Sequence, residues 1–201
     1  MTRRLATLGG LLLMAAAAAG AESTGPAVAT FGGGCFWCME PPYDELAGVI
    51  RTTSGFMGGD VENPSYRDVI AGGTGHVEVV QVEYDPEAVS YEKLLHVFWR
   101  NHDPLDGGGQ FCDRGEIYRP VIFTHDEEQQ RLARESRQAL VESGRFEQPI
   151  DTSIEPAGPF YAAEEYHQGY YRKNRLRYRY YRFNCGRDQR LRDLWGEEAG
   201  G

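Results

Sequence analysis

Nowhere in its 201 residues does the chain reach the roughly 20 consecutive apolar positions that a membrane-spanning helix needs. Positive charge is also short. With 21 Lys+Arg against 30 Asp+Glu, the formal net charge is −9, which disfavours a nucleic-acid polyanion as the main partner. Cysteine is sparse, with four in the whole chain. A disulfide scaffold would be shorter and denser, and a domain of this length folds on its own core without staples. No histidine pair at ligand spacing accompanies the CxxC of Cys35 and Cys38, so the pattern does not support a zinc site or another metal centre. Repeats and low-complexity blocks are missing after residue 30.

What is present starts with a leader. Arg3 and Arg4, the apolar run from Leu11 to Ala19, and Ala19-Gly20-Ala21 read as a secretory signal cleaved after Ala21. Residues 1–21 are then the signal peptide, 22–27 a small polar linker, and 28–198 one folded domain. Export would place the mature chain, beginning at Glu22, in the periplasm or outside the cell. There it would have no stable membrane association, in surroundings where thiols tend to pair.

Alternating and apolar stretches predict strands over Val28–Phe31, Val49–Phe56, Val77–Tyr84, Ile117–Thr124 and Pro149–Glu155. Pro120 points to an edge or irregular position for the fourth. Helices are expected from Asn63-Pro64 to Gly72, from the cap Ser90 to Arg100, from Asp126 to Ser143, and over Ala162–Asn174. A further helix begins at Cys35 after three glycines, and Pro41 and Pro42 should end or kink it early. Strands interleaved with helices imply one α/β or α+β domain, a sheet with helices packed on it, followed by a long C-terminal arm from Leu176 to Trp195.

Cys35 is the strongest candidate for chemistry, because a thiol at a helix N-terminus faces unpaired amides and the positive end of the macrodipole, both of which favour thiolate. Phe36 and Trp37 beside it suit the walls of an apolar pocket. On Val77–Tyr84, strand periodicity puts Glu78 on one face with Val80, Val82 and Tyr84. If that face is the core face, Glu78 is a carboxyl group in apolar surroundings, kept protonated and fit to be a general acid. Tyr66 and Tyr118 offer hydroxyl donors and Asp113 a carboxylate, useful only if the fold gathers them. His167 reads as a structural histidine. The Arg- and Tyr-rich run Tyr171–Phe183 reads as an exposed element whose arginine stems cover tyrosines rather than as a nucleic-acid surface.

The segments GGGCFWCME, NPSY, GGTGHVEVVQVEYDP, VFWRNHDPLD, QFCDRGEIYRP and GPFYAAEEYHQGYY, in this order from Phe31 to Asn174, resemble the type A peptide methionine sulfoxide reductases. The resemblance implies a single α/β domain around a mixed central sheet flanked by helices, with an irregular C-terminal arm, so that 28–198 is a catalytic domain. It implies reduction of methionine S-sulfoxide, free and in peptides or proteins, with Cys35 as nucleophile and Glu78 as proton donor. Phe36 and Trp37 correspond to the pocket for the sulfoxide methyl, and Tyr66, Asp113 and Tyr118 to groups that bind or polarise the sulfoxide oxygen. No cofactor is implied. A Cys35 sulfenic acid would condense with a second thiol to a disulfide, reduced in turn by a thioredoxin-like donor. Cys185 resembles the family's C-terminal recycling cysteine and is the first choice for the resolving thiol. Cys38, one helical turn from Cys35, is the second, and Cys112 is given no role. Phe56 departs from the tyrosine often seen at its position. The rival classes are a general thiol-disulfide oxidoreductase using Cys35 and Cys38 as its pair, and a secreted binding module with structural disulfides.

Overall fold

The computed structural model describes residues 25–201, so the signal peptide and the first part of the linker lie outside the described residues. Strand β1 (Ala27–Gly32) leads into helix α1 (Phe36–Asp44), followed by β2 (Val49–Met57), α2 (Tyr66–Ala71), β3 (Val77–Tyr84) and α3 (Tyr91–Arg100). Two short strands, β4 (Gly109–Gln110) and β5 (Asp113–Arg114), form a small hairpin before β6 (Val121–Thr124). Helix α4 (Glu127–Glu142), β7 (Ser153–Pro156) and β8 (Tyr161–Ala162) complete the sandwich. The chain ends with α5 (Tyr170–Lys173), α6 (Arg175–Asn184) and α7 (Arg187–Trp195).

Six strands make one mixed sheet in the order β7-β6-β1-β3-β2-β8, antiparallel except for the β6–β7 pair. The core lies between this sheet and α1 and α3, where Phe31 stacks between Tyr43 (5.3 Å) and Phe98 (5.2 Å). Leu94, Leu95 and Phe98 form the buried stripe expected of α3, and Ser90 caps it by accepting the Lys93 amide. Asp126 caps α4 in the same way, and Gly144 closes it at φ +65. Among the described residues, no helix is long and apolar enough to cross a membrane.

Several expectations are corrected. Helix α1 runs through Pro41 and Pro42 to Asp44, because burial of Phe36, Met39 and Tyr43 holds the turn that the missing amides weaken. Helix α2 starts at Ser65 rather than Asn63: Ser65 and Asp68 bond reciprocally in a capping box, and Asn63 takes a left-handed φ of +47. Residues 116–118 form a short 3-10 turn, so β6 begins only after Pro120 and sits inside the sheet between β7 and β1. Ala162–Asn174 is an edge strand and turns with only the four-residue α5, not one helix. The C-terminal arm is two helices rather than irregular chain, broken by Gly186 at φ +66. Its tyrosines and arginines mask an amphipathic period that opposes the usual apolar stripe, since Tyr178 faces inward while Leu176 and Phe183 face solvent.

Candidate active site

The sheet's central pair places the two strongest candidates for chemistry, Cys35 and Glu78. β1 ends in Gly32, and the chain turns through Gly33 and Gly34 into α1 with Cys35 as its N-cap residue. Gly34 has φ +84, and a Cβ there would stand 2.5 Å from Cβ of Gln110. Only glycine permits that approach. Gln110 is fully buried and bonds the amide and carbonyl of Asp103 and the carbonyl of Asp106, so the hairpin loop is pinned against the cysteine turn.

Glu78 lies on β3, next to β1, and is 1% exposed. Its neighbours on the same face, Val80, Val82 and Tyr84, are buried as the alternation predicted. Oε2 of Glu78 accepts the amide of Phe36 at 3.1 Å, which brings the carboxyl to the first residue of α1, adjacent to Cys35. Burial pushes Glu78 up to about 8 despite the Phe36 amide, so at neutral pH it is mostly protonated and can donate.

The thiols depart from expectation. Cys35 and Cys38 are both unpaired and buried, the Cys38 amide donates to the Cys35 carbonyl at 2.9 Å, and the two thiols interact. Burial, the Cys38 contact and the Glu78 charge push Cys35 up, whereas the Cys35 contact brings Cys38 down to about 6. The two thiols titrate together, with burial opposing the ionisation of Cys35 and the Cys35 contact favouring that of Cys38. The helix amide closest to Cys35, that of Phe36, is already taken by Glu78, and burial outweighs what remains of the dipole. The pair as a unit holds one proton and one negative charge near pH 7.

Around the sulfurs stands an aromatic wall. The Phe36 ring lies 6.0 Å from Phe56, 6.3 Å from Tyr66 and 5.1 Å from the His167 imidazole. Trp37 stacks on Tyr170 at 3.7 Å and donates its indole N–H to Nδ1 of His167 at 3.0 Å. Tyr66 is placed by its own amide, which donates to Glu164 at 3.1 Å. Tyr66 and Tyr118 are half-buried, and burial first and the Glu78 charge second raise both phenols, which keeps them protonated donors. Asp113 is half-buried and accepts the Tyr181 hydroxyl, and burial raises it. The fold thus gathers Cys35, Phe36, Trp37, Tyr66, Glu78, Asp113 and Tyr118 around one end of α1.

Cys185 is not a free thiol. It is joined to Cys112 in a disulfide that closes the arm onto the β4–β5 hairpin, with the Cα atoms 4.8 Å apart. Cys112, given no role from sequence, is therefore a partner. Cys112, Asp113 and Cys185 gather three ligand-type atoms within 4.8 Å, but with both sulfurs bonded to each other they offer an ion no thiolate. Sequence reasoning missed Tyr181 and Glu40, while His167, read as structural, is so placed. His167 and Glu40 anchor the segment after β8: His167 receives Trp37, and Glu40 accepts the amide of Gly169. No local pattern marks these contacts, since the partners are some 130 positions away.

A nucleophilic thiol pair beside a protonated acid, in a pocket of rings on a mixed sheet, defines a thiol-dependent reductase. The family model for peptide methionine sulfoxide reductase matches residues 27–199. Peptide methionine sulfoxide reductase MsrA of Bacillus licheniformis is 52% identical over 171 residues, covering 85% of this chain and 94% of that protein. The Bacillus subtilis protein of the same name is 50% identical, covering 84% and 96%. Among solved structures, reduced Mxr1 from Saccharomyces cerevisiae superposes with a TM-score of 0.69 at 32% identity, covering 77% of this chain and 88% of that one. Methionine sulfoxide reductase A of Corynebacterium diphtheriae gives 0.66 at 34%, covering 77% of each. The chain belongs to the peptide methionine sulfoxide reductase family.

Proposed function

We propose that the chain reduces methionine S-sulfoxide, free and in peptides or proteins, with Cys35 as nucleophile, and so repairs oxidised proteins. The observation that carries this reading is the Glu78 carboxyl bonded to the amide next to Cys35 in a dry pocket. As Cys35 attacks the sulfoxide sulfur, its proton passes to the Cys38 thiolate with which it interacts. Glu78 gives its proton to the sulfoxide oxygen, neutralising the charge that develops there. Tyr66 and Tyr118 donate to the same oxygen, and Asp113 helps to orient it. The sulfur–oxygen bond breaks, methionine leaves, and Cys35 carries the hydroxyl as a sulfenic acid. Cys38 then attacks Cys35, water departs, and a Cys35–Cys38 disulfide forms.

Cys38 takes precedence over Cys185 as the resolving thiol because it touches Cys35, while Cys185 is bonded to Cys112. Yeast Mxr1 is known in a complex with Trx2, and a thioredoxin-like dithiol is the donor we propose here. The leader from Arg3 to Ala21 and the Cys112–Cys185 disulfide both suit a periplasmic or secreted enzyme that begins at Glu22.

Thiol counting by mass, without added reductant, tests this. One equivalent of the S-sulfoxide should remove both free thiols from the wild-type enzyme, and peptide mapping should recover the 35–38 link. Cys38→Ser should stop at a sulfenic acid trapped by dimedone. Retention of both thiols in the wild type would sink the activity, and a 35–185 link would sink the resolving assignment. A mature N-terminus other than Glu22 in envelope-extracted protein would refute the leader.

A further inference from the structure

Arg187 is the largest charged side chain in the interior, 1% exposed. One terminal nitrogen donates to the carbonyl of Gly33 at 3.1 Å, to the thioether of Met39 at 2.9 Å and to the carbonyl of Asn101. Its guanidinium lies 4.5 Å above the Phe111 ring. Nε has no partner, and among the described residues Arg187 forms no ion pair with a carboxylate, although eleven other ion pairs are present. A desolvated cation without an anion is strongly unfavourable unless a negative charge arises close by.

The contacts of Arg187 bracket the cysteine turn. Gly33 stands two residues before Cys35, and Met39 directly follows Cys38. We propose that Arg187 is a positioning residue of the redox centre: its guanidinium braces the turn carrying Cys35 and Cys38 and supplies the counter-charge for the single thiolate they share. The inference rests on the reductase reading for what that thiolate does, but not for its existence.

The other charged groups facing the pair do not take over this role. Glu78 from β3 is mostly protonated at neutral pH, and Tyr178 from α6 is neutral, with a phenol raised by burial. Asp113 from β5 is engaged by the Tyr181 hydroxyl, and Arg182 from α6, whose charge lowers Cys38 less than that of Arg187, already pairs with Asp188 at 2.7 Å. His102, at the end of α3, is pushed down to about 3 by burial and by the Arg187 charge, and so stays neutral. Arg187 correspondingly lowers Cys38. The Cys112–Cys185 disulfide, two residues before Arg187, fixes the start of α7 and with it the guanidinium.

The test is a thiolate titration at 240 nm and a pH series of iodoacetamide rates. Both use substrate-free enzyme with the Cys112–Cys185 bond intact, so that only Cys35 and Cys38 respond. Arg187→Met should raise the first midpoint by about one pH unit or more, a tenfold loss of thiolate at fixed pH. In turnover kcat should fall while KM for the S-sulfoxide stays within about twofold, as for loss of an interaction that does not bind substrate. Arg187→Lys keeps the charge without the fork and should hold the midpoint within about 0.3 unit. A folded Arg187→Met enzyme with an unmoved midpoint overturns the proposal. Should that variant not fold, a midpoint in Arg187→Lys raised by about a full unit overturns it instead. Because no sulfoxide is present, either result is separate from thiol counting with substrate.

Discussion

β3 and α6 both reach the buried thiols, and they are held in place by different means. β3 is paired along both edges, with β1 and β2, and six of its eight residues are buried. α6 has a single buried residue, Tyr178, and shows solvent Leu176, Tyr180 and Phe183 at 85%, 71% and 80% exposure. Its grip consists of point contacts: the Tyr181 hydroxyl on Asp113, Tyr178 packed near Cys38, and the disulfide of Cys185 at its C-terminal end. A proton donor with a raised pKa must be kept dry, which needs a ladder on either side. A helix held by point contacts leaves one flank of the site more easily opened than the strand side.

Glu78→Gln attacks the strand side and carries the largest effect. It should lower kcat/KM by about 10²- to 10⁴-fold, the range for loss of a general acid. The same variant should be more stable than wild type at high pH. Glu78 is raised from 4.5 to about 8 in the folded protein. Its ionisation therefore costs stability progressively as pH rises from about 4.5 through 8, by on the order of a few kcal/mol once complete, and glutamine does not ionise. Urea unfolding at pH 5, 7 and 9 reads the gap, and one that fails to widen with pH would mean that the strand does not hold a dry acid.

Opening the disulfide attacks the helix side. Cys112→Ser with Cys185→Ser should remove about 4 kcal/mol from unfolding, given the 73-residue separation of the pair. Hydrogen exchange should rise in α6 and at the start of α7 but not in β3; equal loss in both would erase the contrast between them. A third measurement places both sides on one axis. kcat/KM should be bell-shaped, with limbs near the Cys38 value of about 6 and the Glu78 value of about 8, each falling about tenfold per pH unit beyond its limb. A plateau extending past pH 9 would show that the acid limb belongs to another group. The smallest effect is expected from Tyr181→Phe, which deletes one hydrogen bond to Asp113. It should cost about 1–2 kcal/mol in stability and lower turnover several-fold, and full activity would show that α6 contributes cover alone.

How far the sequence could be read follows the same division. Glu78 was legible because a strand's alternation is local: Val80, Val82 and Tyr84 announce which face is dry. The caps Ser90 and Asp126 were legible for the same reason. The arm was not, because the residues that turn inward near the thiols, Tyr178, Tyr181 and Arg187, are not an apolar stripe, and the partners of the last two, Asp113, Gly33 and Asn101, lie 68 to 154 positions away. The electrostatic surroundings of Cys35 were hidden too. Helix position argued for Cys35, but the nearby amide had been claimed by a carboxyl 42 residues on. Cys112 looked idle because nothing near it in the chain shows that Cys185 comes within reach.

The bond from the Phe36 amide to Glu78 has one more consequence. Without it, desolvation would leave the acid gripping its proton too tightly to release it. The amide tempers that grip, and it receives the carboxylate once the proton has gone. Because the amide belongs to the residue after Cys35, the acidity of Glu78 and the position of that sulfur are linked through one bond. A shift of the first turn of α1 would change both at once.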